Sequence, residues 1–276
     1  MEATGMESEG VLRRILEQAA GGSETISVET RFPDGTARPG KRECLKEHNL
    51  DILVNEMLMY RLVCTGQHLK ELVYGRLYID GIISGRETVK LFHLCKTENT
   101  ARVLLDHKLQ TEQALDIELS CCSDNHSLLR VAGARKLSPL PAHDFEADQV
   151  FYLTRLFQED SALHISTEAV HRCILLCPAE NGQEKTFACE DIGRHNAVDK
   201  AVGFAVLEGI NLQNCVLFTS GRVPVDMARK VIAAGIPVLV TKSAPTSDAV
   251  QMAREYGLTL ACRAWPDSFE LFAGGE

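Results

Sequence analysis

The chain has 276 residues, 45% of them hydrophobic, enough for a substantial core in one large domain or two small ones. A net charge of −9 and a pI near 5.5 disfavour broad electrostatic binding to nucleic acid, and no stretch approaches the length of a membrane span. Ten scattered cysteines, in an acidic chain whose first residues carry acids where a signal peptide would carry lysines, point to reduced thiols and a cytoplasmic protein.

Residues 1–22 predict an amphipathic helical arm, with Val11, Leu12, Ile15, Leu16 and Ala19 on one side and Gly21-Gly22 ending it. It reads either as a loosely docked arm or as a helix that binds a partner. Pro33-Asp34-Gly35 and Arg38-Pro39-Gly40 mark turns after a first strand. Strands are expected over Glu43–Lys46, Leu50–Val54 and Met57–Cys64, with Asn55-Glu56 as a hairpin turn. A helix from Gln67 to Tyr78 and strands over Val89–Leu94 and Ala101–Leu105 follow. From Lys108 to Ala142, polar runs and two prolines enclose Cys121-Cys122, and this stretch reads as a mobile active-site loop. Most other cysteines lie in apolar runs and read as small core hydrophobes. Cys121 and Cys122 differ, because Ser123, Asp124, Asn125 and His126 come next. A helix should start near Asp144, a good N-cap. The expected division is an arm (1–22), an α+β portion (23–143) and an α/β cofactor-binding domain (144–276).

The most informative stretch comes last. An apolar run, Thr186 to Cys189, feeds Glu190-Asp191-Ile192-Gly193-Arg194-His195-Asn196, after which Ala197, Val198, Ala201, Val202, Ala205 and Val206 recur at helical spacing. That is a strand, a polar elbow and a helix. The plan repeats twice: Cys215–Thr219, the elbow Ser220-Gly221-Arg222 and a helix over Asp226–Ala234; then Ile236–Val240, an elbow around Ser243 and a helix through Tyr256, closed by a strand from Leu258 to Cys262. Such alternation predicts a mainly parallel sheet from Ala169 to Cys262, with the three elbows on one edge at the carboxyl ends of the strands.

These residues resemble the formate dehydrogenase accessory protein family, of FdhD/NarQ type. The resemblance rests on Glu190-Asp191-x-Gly193-Arg194-His195-Asn196-Ala197-x-Asp199-Lys200, on Thr219-Ser220-x-Arg222 with Met227, Lys230 and Ala233, and on Ser243-Ala244-Pro245-Thr246 and Leu258-Thr259-Leu260. Leu72, Gly75, Gly81, Ile82 and Ile83 extend it more weakly toward the N-terminus. It implies a cytidine-deaminase-like α/β fold with layered sheet and flanking helices, beside an N-terminal α+β portion. It implies a sulfur carrier or sulfurtransferase that takes persulfide sulfur from a cysteine desulfurase and passes it to the guanine-dinucleotide form of the molybdenum cofactor. A formate dehydrogenase or related molybdoenzyme then receives that cofactor. A homodimer and the absence of a structural metal are also implied.

Carried onto this chain, the resemblance makes Cys121 the persulfide carrier, with Cys122 beside it. It gives Asp191, Gly193, Arg194, His195, Arg222, Lys230 and Ser243 to the cofactor pocket. The segment Cys262-Arg263-Ala264-Trp265-Pro266-Asp267 falls where the family contacts the cofactor nucleotide, although its residues differ from the family's. Two further departures stand out. The family's C-x-x-C loop reads Cys121-Cys122-Ser123-Asp124 here, and Glu168 occupies a place where the family has a small residue.

Other chemistries weigh against this reading unequally. Zinc deaminases need H-x-E or C-x-E and P-C-x-x-C, and the chain has no P-C-x-x-C. His171, Cys173 and Cys177 could share a strand face as a soft-metal site, but their apolar neighbours favour core packing. His195 beside Asp191 reads either as a general base with its orienting carboxylate or as a helix cap. Arg222 and Lys230 read as a phosphate site or as surface ion pairs. A sulfur carrier and a non-catalytic nucleotide- or pterin-binding module are the two functions left.

Overall fold

The computed structural model describes residues 23–95, 99–109, 111–113, 126–127, 129–131, 137–159, 169–178 and 185–274. The expected N-terminal helix, the Cys121-Cys122 pair and Glu168 lie outside them. Strands β1 (Ser23–Arg31) and β2 (Ala37–Leu45) form a two-stranded hairpin. The turn expected at Arg38-Pro39-Gly40 is strand instead. In a two-stranded sheet every strand is an edge, so a proline without an N–H can be tolerated in it.

Asn55 and Glu56, at φ 49° and 65°, make the tight turn between β3 (His48–Val54) and β4 (Met57–Cys64). Helix α1 (Leu69–Ile79) follows, then β5 (Val89–Cys95) and β6 (Thr100–Leu105). With the short β8 (His126–Ser127) these form a five-stranded sheet in the order β5-β6-β3-β4-β8, and β7 (Thr111–Gln113) pairs with β9 (Leu129–Val131). Helix α2 begins at Ala147 and runs to Glu159, three residues later than the expected start at Asp144.

The second half builds a six-stranded sheet in the order β11-β10-β12-β13-β14-β15 from β10 (His171–Cys177), β11 (Lys185–Asp191), β12 (Val216–Thr219), β13 (Val238–Thr241), β14 (Thr259–Cys262) and β15 (Glu270–Ala273). Helices α3 (Arg194–Glu208), α4 (Val225–Ala234) and α5 (Ser247–Tyr256) connect its strands, and the Thr246 side chain caps α5. The sheet is mixed, not mainly parallel: β12–β13 and β13–β14 are parallel, whereas β10 runs antiparallel to both β11 and β12, and β15 to β14. The short link from β10 to β11 accounts for the first of these antiparallel pairs, since it suits a hairpin and is too short for a crossover helix.

Alternation along the strands splits the sheet's faces. Ile174, Leu176, Val216, Phe218, Val238, Val240 and Ala261 pack with Val150, Leu153 and Phe157 of α2. Cys173, Leu175, Cys177, Leu217, Leu239 and Leu260 join a larger cluster that takes in α1, α3, α4, α5 and inward residues of the five-stranded sheet. The regions before and after residue 144 thus share one core. Where α1 meets α3, Gly75 and Gly203 bring the two backbones into contact.

Candidate functional site

Because β11, β12, β13 and β14 run the same way, their carboxyl ends form one rim, and the reversed β10 adds His171 from its amino end, opposite Asp191. The elbows are stitched together there. Ser220 N donates to Arg172 O (2.9 Å), and Ser220 Oγ accepts from Arg172 N (3.0 Å). Thr241 Oγ1 donates to Gly221 O (2.7 Å), Val223 N to Ala244 O (3.2 Å) and Arg263 N to Ser243 O (2.9 Å). A Cβ at Gly221 would come within 3.2 Å of Arg194 Cβ and 3.6 Å of His171 Nδ1, so the first two elbows touch at this glycine. Gly193, Gly221 and Ser243 therefore share an edge, as the repeated units predict.

The first elbow has two sides. Asp191 is wholly buried and accepts from Gly193 N (2.9 Å), Asn196 Nδ2 (3.0 Å) and Thr65 N (3.1 Å), with Lys200 Nζ at 2.6 Å. Lys200, also wholly buried, donates further to Thr65 Oγ1 (2.6 Å) and Glu190 O (3.0 Å), and Asn196 Nδ2 to Val63 O (2.9 Å). Asp191, Asn196 and Lys200 thus lock the elbow to the end of β4 from beneath. Sequence reasoning placed Asp191 beside His195; the structure pairs His195 Nε2 with Asp226 Oδ2 of α4 instead, at 3.0 Å. Burial lowers the His195 pKa, and the adjacent Asp226 carboxylate partly opposes it.

Lys230, a phosphate-ligand candidate by sequence, sets its ammonium 2.6 Å from Asp199 Oδ1, a carboxylate with no exposure. Burial raises the Asp199 pKa, against the pull of Lys230 and of Arg76, whose Nη1 stands 3.9 Å away. Arg76 in turn meets Asp80 (3.1 Å), which accepts from Tyr60 OH (2.7 Å). Arg222 is exposed on the second elbow.

In the last candidate segment, Cys262 and Ala264 are buried, and burial pushes the Cys262 thiol up to about 12. Arg263 adopts φ 48° and pairs with Glu270 at 3.2 Å. Trp265 is 45% exposed, and Lys242 Nζ sits 5.0 Å from its ring centroid and 5.3 Å from that of Phe157. Pro266 and Asp267 line a cleft of about 590 Å³ against α2. Lys242 thus sets a cation beside the Trp265 indole, and Arg222 is an exposed cation on the second elbow. The sequence reading had not singled out Thr65, Asp226 or Lys242. Their only signal was position, at the end of a strand or the start of a helix next to the rim. Among the described residues no group of three or more His, Cys, Asp and Glu side chains is placed to hold a metal ion, and no helix is long and apolar enough to cross a membrane.

The FdhD/NarQ family model matches residues 45–276, a span that contains every elbow and the Cys121-Cys122 pair. This chain belongs to the FdhD/NarQ family. It is 31% identical over 235 residues to the sulfur carrier protein FdhD of Bacillus pumilus, covering 83% of this chain and 88% of that one. The sulfur carrier protein FdhD of Thermoplasma acidophilum is 28% identical over 289 residues and covers 98% of this chain and 99% of its own. A crystal structure assigned as a formate dehydrogenase accessory protein, from Desulfotalea psychrophila, superposes with a TM-score of 0.73 at 22% identity, over 92% of this chain and 97% of that one. The fold is thus that of a solved structure as well as of a sequence family. The sequence motif and the rim coincide in this member, with Asp191, Asn196 and Lys200 as its inner side and Gly193 and Arg194 against the neighbouring elbow.

Proposed function

We propose that this protein is a cytoplasmic sulfur carrier for the maturation of a formate dehydrogenase or related molybdoenzyme. Membership of the family across the whole rim is the observation that carries the reading. In the loading step the Cys121 thiolate attacks the terminal sulfur of a cysteine desulfurase persulfide. The desulfurase S–S bond breaks, its cysteine leaves as thiolate, and Cys121 gains the S–S bond with no net redox change. Release of that sulfur as sulfide takes two electrons, supplied by a dithiol that becomes a disulfide. The acceptor is the guanine-dinucleotide molybdenum cofactor, a substrate and not a resident group. Its phosphates suit Arg194, Arg222, Lys242 and Arg263, and a planar base suits the exposed face of Trp265. Self-association as a homodimer belongs to the same reading.

The test is mass spectrometry after incubation with a cysteine desulfurase and cysteine. Cys121→Ser should abolish persulfide loading, and Cys122→Ser should retain part of it. A wild-type protein that acquires no persulfide yet binds guanine nucleotide would instead be a cofactor-binding module.

A further inference from the structure

Apart from Leu45, the β1–β2 hairpin precedes the span that the family model matches, and among the described residues none of its apolar side chains joins either hydrophobic cluster. A two-stranded hairpin alone is marginal in water, so nine paired rungs call for a surface to lie on. One face of it carries Ile26, Val28 and Thr30 opposite Arg42, Gly40 and Arg38, with Phe32 beyond them at the turn. Ile26 is 41% and Phe32 38% exposed, and the Arg38 guanidinium lies 5.2 Å from the Phe32 ring centroid. Glu24 at the far end of this face is offset by Lys46 at 3.8 Å, so the face is apolar and net basic.

The cleft beside α2 has the opposite character. Glu146, Asp148 and Asp267 line it with Phe151, Tyr152 and Pro266, and among the described residues Arg155 is the one cation there. Its volume of about 590 Å³ takes several long side chains, and no residue of the hairpin lines it.

We propose that the β1–β2 hairpin of one copy docks in the α2 cleft of a second copy, and that the exchange is reciprocal. Arg38 and Arg42 meet Glu146 and Asp148, while Ile26 and Phe32 cover the Phe151 and Tyr152 rings. Two such contacts related by a two-fold axis close the assembly at a dimer. Pro266 and Asp267 are the last two residues of the candidate cofactor segment, so the docked hairpin covers the end of that segment in its partner. The inference rests on the homodimer named above and not on the sulfur chemistry.

Sedimentation velocity of the full chain, with R38E/R42E and E146K/D148K made separately, tests it. All four residues are exposed, and wild type should dimerise more weakly as salt rises. Each double variant should weaken dimerisation by roughly tenfold or more. An equimolar mixture should restore the dimer, because both reversed and both native pairings then form at once, a rescue that misfolding would not allow. A monomeric wild type would overturn the homodimer and the docking together. A wild-type dimer untouched by R38E/R42E, a loss confined to the hairpin variant, or failure of the mixture to recover would overturn the docking alone. Persulfide loading of the wild type, measured in parallel, reports on the sulfur-carrier reading independently.

Discussion

Gly75 and Gly203 face each other across the α1–α3 crossing so closely that a Cβ on either would overlap the other helix. A Cβ on Gly75 would overlap the Asp199 carbonyl oxygen and stand 2.8 Å from Gly203 N; one on Gly203 would overlap the Glu71 carbonyl oxygen and stand 2.7 Å from Gly75 N. The obstacles are backbone atoms, which cannot move aside as side chains can. Alanine at either position should therefore cost about 3 kcal/mol or more of stability, the upper end of overpacking effects, despite its better helix propensity. Urea denaturation of each variant measures this, and a loss below about 1 kcal/mol would show that the helices can separate cheaply.

Lys200 and Asp191 are both fully buried, and replacing the lysine leaves a carboxylate in the core with only uncharged donors around it. Lys200→Met should destabilise the fold by about 3–5 kcal/mol. Asp191→Asn in the same chain should recover part of that, since the orphaned charge is then gone. Thermal unfolding of the single and double variants checks both expectations.

His195 should titrate below its ordinary value of 6.5, because burial disfavours its charged form. Asp226→Asn should lower it further by removing the partner that opposes burial. Both are measurable by NMR of the imidazole. The unfolded chain then binds a proton that the folded one refuses, so His195 subtracts stability as pH falls through 6.5 toward the folded pKa and subtracts none well above 6.5. A His195 pKa above 6.5 would mean that the Asp226 interaction outweighs burial.

Arg222→Ala should weaken guanine nucleotide binding by about 1.5–3 kcal/mol, the scale of one charge-assisted hydrogen bond, and binding should fall with salt. Lys230→Met should instead destabilise the fold, because its ammonium is committed to Asp199. Calorimetry separates the two, and unchanged affinity in the Arg222 variant would make it a surface cation only.

The strand–elbow–helix units were legible because apolar runs, glycine turns and helical spacing all recur in the right order. The direction of β10 was harder to see. Cys173-Ile174-Leu175-Leu176-Cys177 is apolar throughout and reads the same in either direction, so only the short link to β11 marks the hairpin. Residues of the first elbow were found, but their partners were not. Asp191 precedes His195 by four positions, yet the chain turns between them and sends the carboxylate to Lys200 and the imidazole to Asp226 of α4. Lys230 has the sequence character of a phosphate ligand, and only three-dimensional packing puts Asp199 beneath it. Pro39 hid β2 because proline is penalised inside sheets but tolerated where every strand is an edge.

The burial of the cysteines has a kinetic meaning for a protein that handles sulfane sulfur. A persulfide passes its outer sulfur to any thiolate within reach, so every neighbouring cysteine competes as a sink. Burial pushes Cys64, Cys173 and Cys262 up to about 12 and raises Cys189 as well, while the hydrogen bond with Cys177, together with burial, raises Cys215. At a pKa of 12 the thiolate fraction at pH 7 is on the order of one in a hundred thousand. Cys177, whose pKa the Cys215 thiol lowers, is itself buried and lies at the end of β10 away from the rim. The buried cysteines are thus poor sinks for sulfane sulfur, which leaves exposed Cys44 and half-buried Cys95 as the accessible thiols among the described residues.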